Sequence, residues 1–185
     1  KLETASIESS DAWNNAGTGH SAFCELNYTP EKSDGTVDTT KAVKIAEQFE
    51  VSRQFWAYLV KKNLIESPEN FIRTIPHVSF VFGEKNVAFL KQRHLQLTEN
   101  NLFKGMKFST SHEELNQWIP LVMEGRKADE AVAATYMSRG TDVNFGNLTR
   151  SLFQYLKAQD VVNKHMKHDV INIDKNKDGI PDALE

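Results

Sequence analysis

Apolar residues at Ala42, Ile45, Ala46, Phe49, Phe55, Trp56, Leu59 and Val60 recur at helical spacing, which predicts one long helix ending near Lys62. Asp38 or Thr39 can cap its start, and Asn63 can take the left-handed position that closes it. Residues 1–37 are polar and rich in turn formers, which predicts mostly loop with a short helix around Ser21 to Leu26. Ser67-Pro68-Glu69 is a helix-start signal and predicts a short helix through Phe71 and Ile72. Ile75 to Phe82 reads as a strand closed by Gly83. Val87, Leu90, Arg93, His94 and Leu97 define another helix, and Met106 to Phe108 a short strand. Ser111 and Glu114 form a capping box ahead of Leu115 and Trp118, and Pro120 stops that helix. Val132 to Met137 reads as a strand, and Asn144 caps a helix carrying Leu148, Leu152, Phe153 and Leu156. Val161-Val162 and Val170 to Ile173 also read as strands. The loose alternation of the two element types gives a fold class of α/β to α+β, with no internal repeat.

Composition narrows the function classes more than it narrows the fold. The chain has 185 residues, 22 Lys+Arg against 25 Asp+Glu, and a net charge of −3. That balance lacks the basic excess of a nucleic-acid footprint, so no nucleic-acid partner is expected. No apolar run approaches the ~20 residues that span a bilayer. The single cysteine, Cys24, cannot form an internal disulfide and is compatible with a reducing compartment.

Three short patterns carry candidate chemistry. Gly17-Thr18-Gly19-His20-Ser21-Ala22 fits G-x-G-x-x-[GA], the dinucleotide fingerprint, but that fingerprint needs a buried strand before it. The preceding Glu8-Ser9-Ser10-Asp11-Ala12-Trp13-Asn14-Asn15 is too polar for one. The loop is then either an ordinary polar turn or a set of donors for a phosphate or a flavin edge. Asp174, Asn176, Asp178, Gly179 and Glu185 satisfy a calcium-loop spacing, which Pro181 opposes, and a hairpin turn is the competing reading. The six histidines include no H-E-x-x-H pair, so no metal site is assigned to them.

Longer segments carry a resemblance. Glu8-Ser9-Ser10, Asn14-Asn15-Ala16-Gly17-Thr18-Gly19-His20-Ser21-Ala22 and Glu25-Leu26-Asn27-Tyr28-Thr29-Pro30 are similar to the malate:quinone oxidoreductase family. So are Ser52-Arg53-Gln54-Phe55-Trp56, Pro76-His77 with Ser79-Phe80-Val81, Met123-Glu124-Gly125-Arg126, and Gly140-Thr141-Asp142-Val143-Asn144-Phe145-Gly146 with Leu148-Thr149-Arg150. The resemblance covers Lys1 to about Gly179, in matching order and spacing.

The resemblance implies an FAD-dependent enzyme of the amino-acid-oxidase-like flavoprotein class. Such an enzyme oxidises malate to oxaloacetate and passes electrons to membrane quinone, as in the tricarboxylic acid cycle. It implies an internal fragment: part of a Rossmann-like FAD domain plus a mixed-sheet substrate domain with packed helices. Residues 1–37 are then an FAD-domain loop, 38–140 a portion of the substrate domain, and 141–185 the return toward the FAD domain. Ser9, Ser10, Asn14, Asn15, Gly17, Thr18 and Gly19 are the implied FAD contacts. His20 or His77 is the implied base, Arg126 a carboxylate clamp, and Thr141 and Asn144 further substrate contacts. The implied location is cytoplasmic, peripheral to the inner face of a bacterial cell membrane. The hexapeptide Ile180-Pro181-Asp182-Ala183-Leu184-Glu185 resembles a family segment lying further downstream, so a missing stretch or an accidental likeness is expected there. A related FAD enzyme for another 2-hydroxy acid, such as 2-hydroxyglutarate, and a calcium module at 174–185 are the alternatives.

Overall fold

The structure is a computed structural model that describes residues 3–160 and 162–173. The calcium-loop pattern and the downstream-like hexapeptide lie outside the described residues. The predicted long helix is α1 (Thr40–Lys61). The Oδ1 of Asp38 accepts the Thr40 N–H at 2.9 Å, and that bond holds the exposed carboxyl below its usual range. Asn63 closes the helix at φ 56°. The predicted helix after Ser67 is one 3-10 turn, Pro68–Asn70, because the chain then extends into β1 (Ile72–Thr74). Ser67 donates its hydroxyl to the Glu69 carboxylate, so it caps no backbone N–H.

The strand predicted from Ile75 starts two residues later, as β2 (His77–Phe82). Pro76 has no N–H to give to a ladder, so it separates β1 from β2. Then come α2 (Glu84–Thr98), β3 (Lys107–Ser109), α3 (His112–Trp118), α4 (Pro120–Met123) and β4 (Val132–Met137). The caps predicted at Ser111 and Asn144 form, accepting from the N–H groups of Glu114 and Asn147. Asn144 opens α5 (Phe145–Lys157). A strand absent from the sequence reading, β5 (Thr141–Val143), lies just before it. No helix forms at Ser21 to Leu26; a 3-10 turn sits at Leu26–Tyr28 instead. Val162 and Val170 to Ile173 belong to no strand, and Val170, Ile171 and Ile173 are exposed.

The strands make two sheets, ordered β2-β4-β3 and β1-β5. Every ladder is antiparallel, so the described residues form an α+β fold; the expected mixed sheet is not what these strands build. The three-stranded sheet is covered on both faces. Val81 and Ala133 pack with Leu90 of α2, while Val132 and Ala134 pack with Leu115 and Met123 of α3 and α4. That is why β4 reads as a nearly continuous apolar run. The smaller sheet lies against α1, where Trp56 meets Phe71 and Phe145 edge-on at 6.1 and 6.4 Å.

One charge is fully enclosed. Arg93 of α2 has no exposed surface, and among the described residues no carboxylate is within salt-bridge distance of it. Its Nε donates to Thr29 Oγ1 at 3.0 Å, its Nη2 to the Ala22 carbonyl at 3.1 Å, and both Nη atoms to the Phe23 carbonyl at 3.3 Å. Burial pulls the guanidinium down to about 10, so it stays charged at neutral pH. The expected consequence is that Arg93→Met lowers the unfolding free energy by about 1–3 kcal/mol, because the loop carbonyls lose their donors inside the core. Urea denaturation of both proteins measures this, and a loss below about 1 kcal/mol would contradict it.

Candidate functional site

The glycine loop is bound edge-on to β5. Gly19 N–H donates to the Thr141 carbonyl at 2.9 Å, Val143 N–H donates to the Gly17 carbonyl at 2.6 Å, and Thr18 bridges to Asp142. A short extended segment therefore adds to the β1-β5 ladder. The two glycines have a packing reason. Gly17 has φ +72°, and a Cβ there would lie 2.9 Å from the Val143 carbonyl. A Cβ on Gly19 would overlap Thr141 Oγ1 and lie 2.8 Å from the Phe49 ring. The G-x-G pattern thus marks a close approach of two backbones, with no helix opening behind it to receive a phosphate.

His77 joins the same point from β2. It is 7% exposed, and its Nε2–H donates to the Thr141 carbonyl at 3.2 Å. Its Nδ1 faces Cys24 Sγ at 3.8 Å, and Phe23 meets the ring edge-on. Gly140 lets the imidazole lie against the chain, since a Cβ there would overlap the ring. Burial, then the neighbouring Glu25 carboxylate, pushes the Cys24 thiol up to about 11. His20 is exposed, with Nδ1 3.8 Å from Glu25 Oε1. Thr141 is buried, and its hydroxyl has no hydrogen-bond partner.

Other predicted residues line a polar groove beside this cluster. Ser10, Asn15, Gly17 and Asn144 border one cavity of about 250 Å³. Asn15 is held on both sides, accepting from Gly17 N–H at 2.9 Å and donating to the Ser9 carbonyl at 3.3 Å. Asn14 donates to the Ile7 carbonyl at 3.0 Å. The amide of Asn144 is taken up as the cap of α5. The groove suits the polar edge of a flavin nucleotide, because hydroxyl and backbone groups border it, and it is too small for the whole of one.

Arg126 is placed elsewhere. Its guanidinium stacks over Phe80 and Phe82 at 4.6 and 5.5 Å, and donates to Glu130 at 2.9 Å and to the Val122 carbonyl at 2.8 Å. Side chains alternate along β2, so Phe80 and Phe82 lie on the face opposite His77. The sequence reading passed over Arg53, Lys61 and Arg73, which border a second cavity, of about 390 Å³, together with Thr141. Arg53 stood inside the quoted Ser52-Arg53-Gln54-Phe55-Trp56 motif, so a signal was present. Arg73 sits on β1, whose pairing with β5 no local pattern announces.

The described residues form an α+β unit whose cavities are of small-molecule size. The malate:quinone oxidoreductase family model matches residues 1–181, and the chain belongs to that family. The chain is 59% identical over 178 residues to a probable malate:quinone oxidoreductase of Flavobacterium johnsoniae, and 60% identical over 180 residues to one of Bacillus cereus strain AH820. A Bacillus anthracis relative of the same description is also 60% identical. These matches cover 96–97% of this chain and 36% of each relative, so the chain spans little more than a third of the curated relatives it matches.

Two outcomes test the geometry. Gly19→Ala destabilises the protein by about 1–3 kcal/mol, read from the denaturation midpoint, because the new methyl meets Thr141 and Phe49 together. Cys24 is alkylated by iodoacetamide at pH 8 at least about tenfold more slowly than free cysteine, and its rate climbs with pH toward 11. Alkylation at the free-cysteine rate would contradict the half-buried position of the thiol beside Glu25.

Proposed function

We propose that this chain is part of an FAD-dependent, quinone-linked malate dehydrogenase that oxidises malate to oxaloacetate. The observation that carries the reading is the family match across residues 1–181. The local geometry supports it by bringing the glycine loop, His77 and Thr141 to one point. Residues 1–37 then supply a cofactor-domain loop, 38–140 a portion of a substrate domain, and 141–185 the return toward the cofactor domain.

Bound FAD would supply the two-electron acceptor for the hydride on C2 of malate. Ser9, Ser10, Asn14, Asn15, Gly17, Thr18 and Gly19 would border it, with Ser10, Asn15 and Gly17 along the polar groove. His20 is the exposed imidazole of the glycine loop and is one candidate for taking the hydroxyl proton, with the Glu25 carboxylate 3.8 Å away. His77 is the other candidate; its Nε2 is committed to the Thr141 carbonyl and its Nδ1 faces the Cys24 thiol, so Nδ1 would take a proton only by giving up that contact. Malate and quinone are the proposed partners. No helix among the described residues is long and apolar enough to cross a membrane. Peripheral attachment to the inner face of the bacterial membrane is part of the proposal.

A full-length, FAD-loaded enzyme carrying this segment is expected to reduce a quinone analogue when malate is added. The isolated chain is expected to show no malate-dependent dye reduction, since its described residues contain no strand–glycine turn–helix unit for the rest of the flavin. Failure of the full-length enzyme to oxidise malate would overturn the reading.

A further inference from the structure

His77 touches both ends of one short segment. Through Nε2 it shares the Thr141 carbonyl with the Gly19 N–H, and through Nδ1 it faces the Cys24 thiol at 3.8 Å. The Cys24 carbonyl is held as well, by the Ser79 hydroxyl at 3.0 Å, two residues further along β2. Residues 19–24, between these anchors, follow a tight path. Ser21 N–H donates to the Gly19 carbonyl at 2.8 Å, and buried Ala22 sits at φ 57°, which disfavours any side chain. Such a backbone persists only where its surroundings fix it. Arg93 holds the Ala22 and Phe23 carbonyls from α2. Within residues 19–24, His20 alone is exposed.

We infer that His77 is a positioning residue: its ring, held as the Nε2–H tautomer, clamps both ends of residues 19–24 and so presents His20, which takes the proton of the substrate hydroxyl. The inference rests on the malate-oxidising reading and decides which of its two imidazoles does the chemistry. A carbonyl oxygen only accepts, so Nε2 carries the hydrogen of the Thr141 bond. Burial, and after it the Glu25 carboxylate, raises the Cys24 thiol to about 11, so the thiol keeps its proton at neutral pH and is a donor for Nδ1. Both ring nitrogens are then in use, and Phe23 and Gly140 pack against the ring. A substrate hydroxyl could bond either nitrogen only by displacing a partner already there. His20 keeps its ring at the surface. Among the described residues its one charged neighbour within salt-bridge distance is Glu25, 3.8 Å from Nδ1.

The test uses a full-length, FAD-loaded family enzyme carrying this segment, isotope-labelled at the histidine ring nitrogens. NMR of the parent is expected to show the His77 proton on Nε2 and Nδ1 as an acceptor, the signals being assigned by their loss in His77→Gln. Malate turnover and FAD content are measured for His20→Gln, His77→Gln and His77→Phe. His20→Gln is expected to lower kcat at least about 100-fold at parental FAD content, the scale of a lost general base. His77→Phe opens the clamp and also lowers kcat. His77→Gln, whose amide N–H can donate to the Thr141 carbonyl, recovers at least about tenfold of that loss. Glutamine cannot act as a base, so this recovery separates positioning from proton transfer. A His77 proton on Nδ1, a His20→Gln enzyme within about twofold of the parent, or FAD-replete His77→Gln no better than His77→Phe would overturn the inference. If a His77 variant fails to load FAD, the ring NMR of the parent and the His20→Gln kinetics decide. A parent enzyme that carries the Nε2–H ring yet does not oxidise malate would overturn the proposed activity and leave the clamp standing.

Discussion

The carbonyl oxygen of Thr141 is the point on which the arrangement of the site depends. It accepts the Gly19 N–H and the His77 Nε2–H at once, so three distant parts of the chain meet on one atom. The glycine loop comes from the first part of the sequence, His77 from the start of β2, and Thr141 from β5. Both lone pairs of a buried carbonyl are satisfied in this way, which makes the junction costly to open. The sterics point the same way. Gly17, Gly19 and Gly140 each stand where a methyl group would strike the opposing chain or ring. The glycines are thus conditions for the junction, and the junction in turn shapes the polar groove beside it.

A second constraint holds the loop from below. Arg93 ties the carbonyls of Ala22 and Phe23 and the hydroxyl of Thr29 to α2, and Ser79 adds a hydrogen bond to the Cys24 carbonyl. A loop of this length without regular structure would leave buried backbone oxygens without donors. One guanidinium with five N–H groups supplies several of them from a single position. The same burial that makes Arg93 a structural tie raises the Cys24 thiol and encloses His77. Loop shape and the polarity around the imidazole are therefore set by one packed cluster.

Periodic elements were legible from the sequence and contact-defined ones were not. α1, α2 and β4 announced themselves by spacing, and the caps at Ser111 and Asn144 by residue type. β1 and β5 are three residues each and carry no alternation; they exist because each pairs with the other. Without β5 in view, Thr141 read as a substrate contact and Gly19 as a cofactor contact, while their bond to each other stayed hidden. The dinucleotide fingerprint at Gly17 to Ala22 lacks a preceding strand, and the structure gives its glycines a packing role. Arg126 sat in a family-like motif, but its surroundings of Phe80, Phe82 and Glu130 depend on sheet alternation and helix placement that one local segment does not encode. Arg73 carries no local signal for the same reason, because Asp142, its partner across the ladder, is remote in sequence.

Because the glycine loop is joined to β5 as part of the fold, the Gly19 amide reports directly on the junction. Native-state hydrogen exchange compares it with the Val143 amide and with the amide of exposed Ser33 in the turn before Gly35. Gly19 and Val143 are expected to be protected to a similar free energy, well above Ser33, because both belong to the same junction. A Gly19 amide that exchanges at the rate of Ser33 while Val143 stays protected would contradict a joined loop.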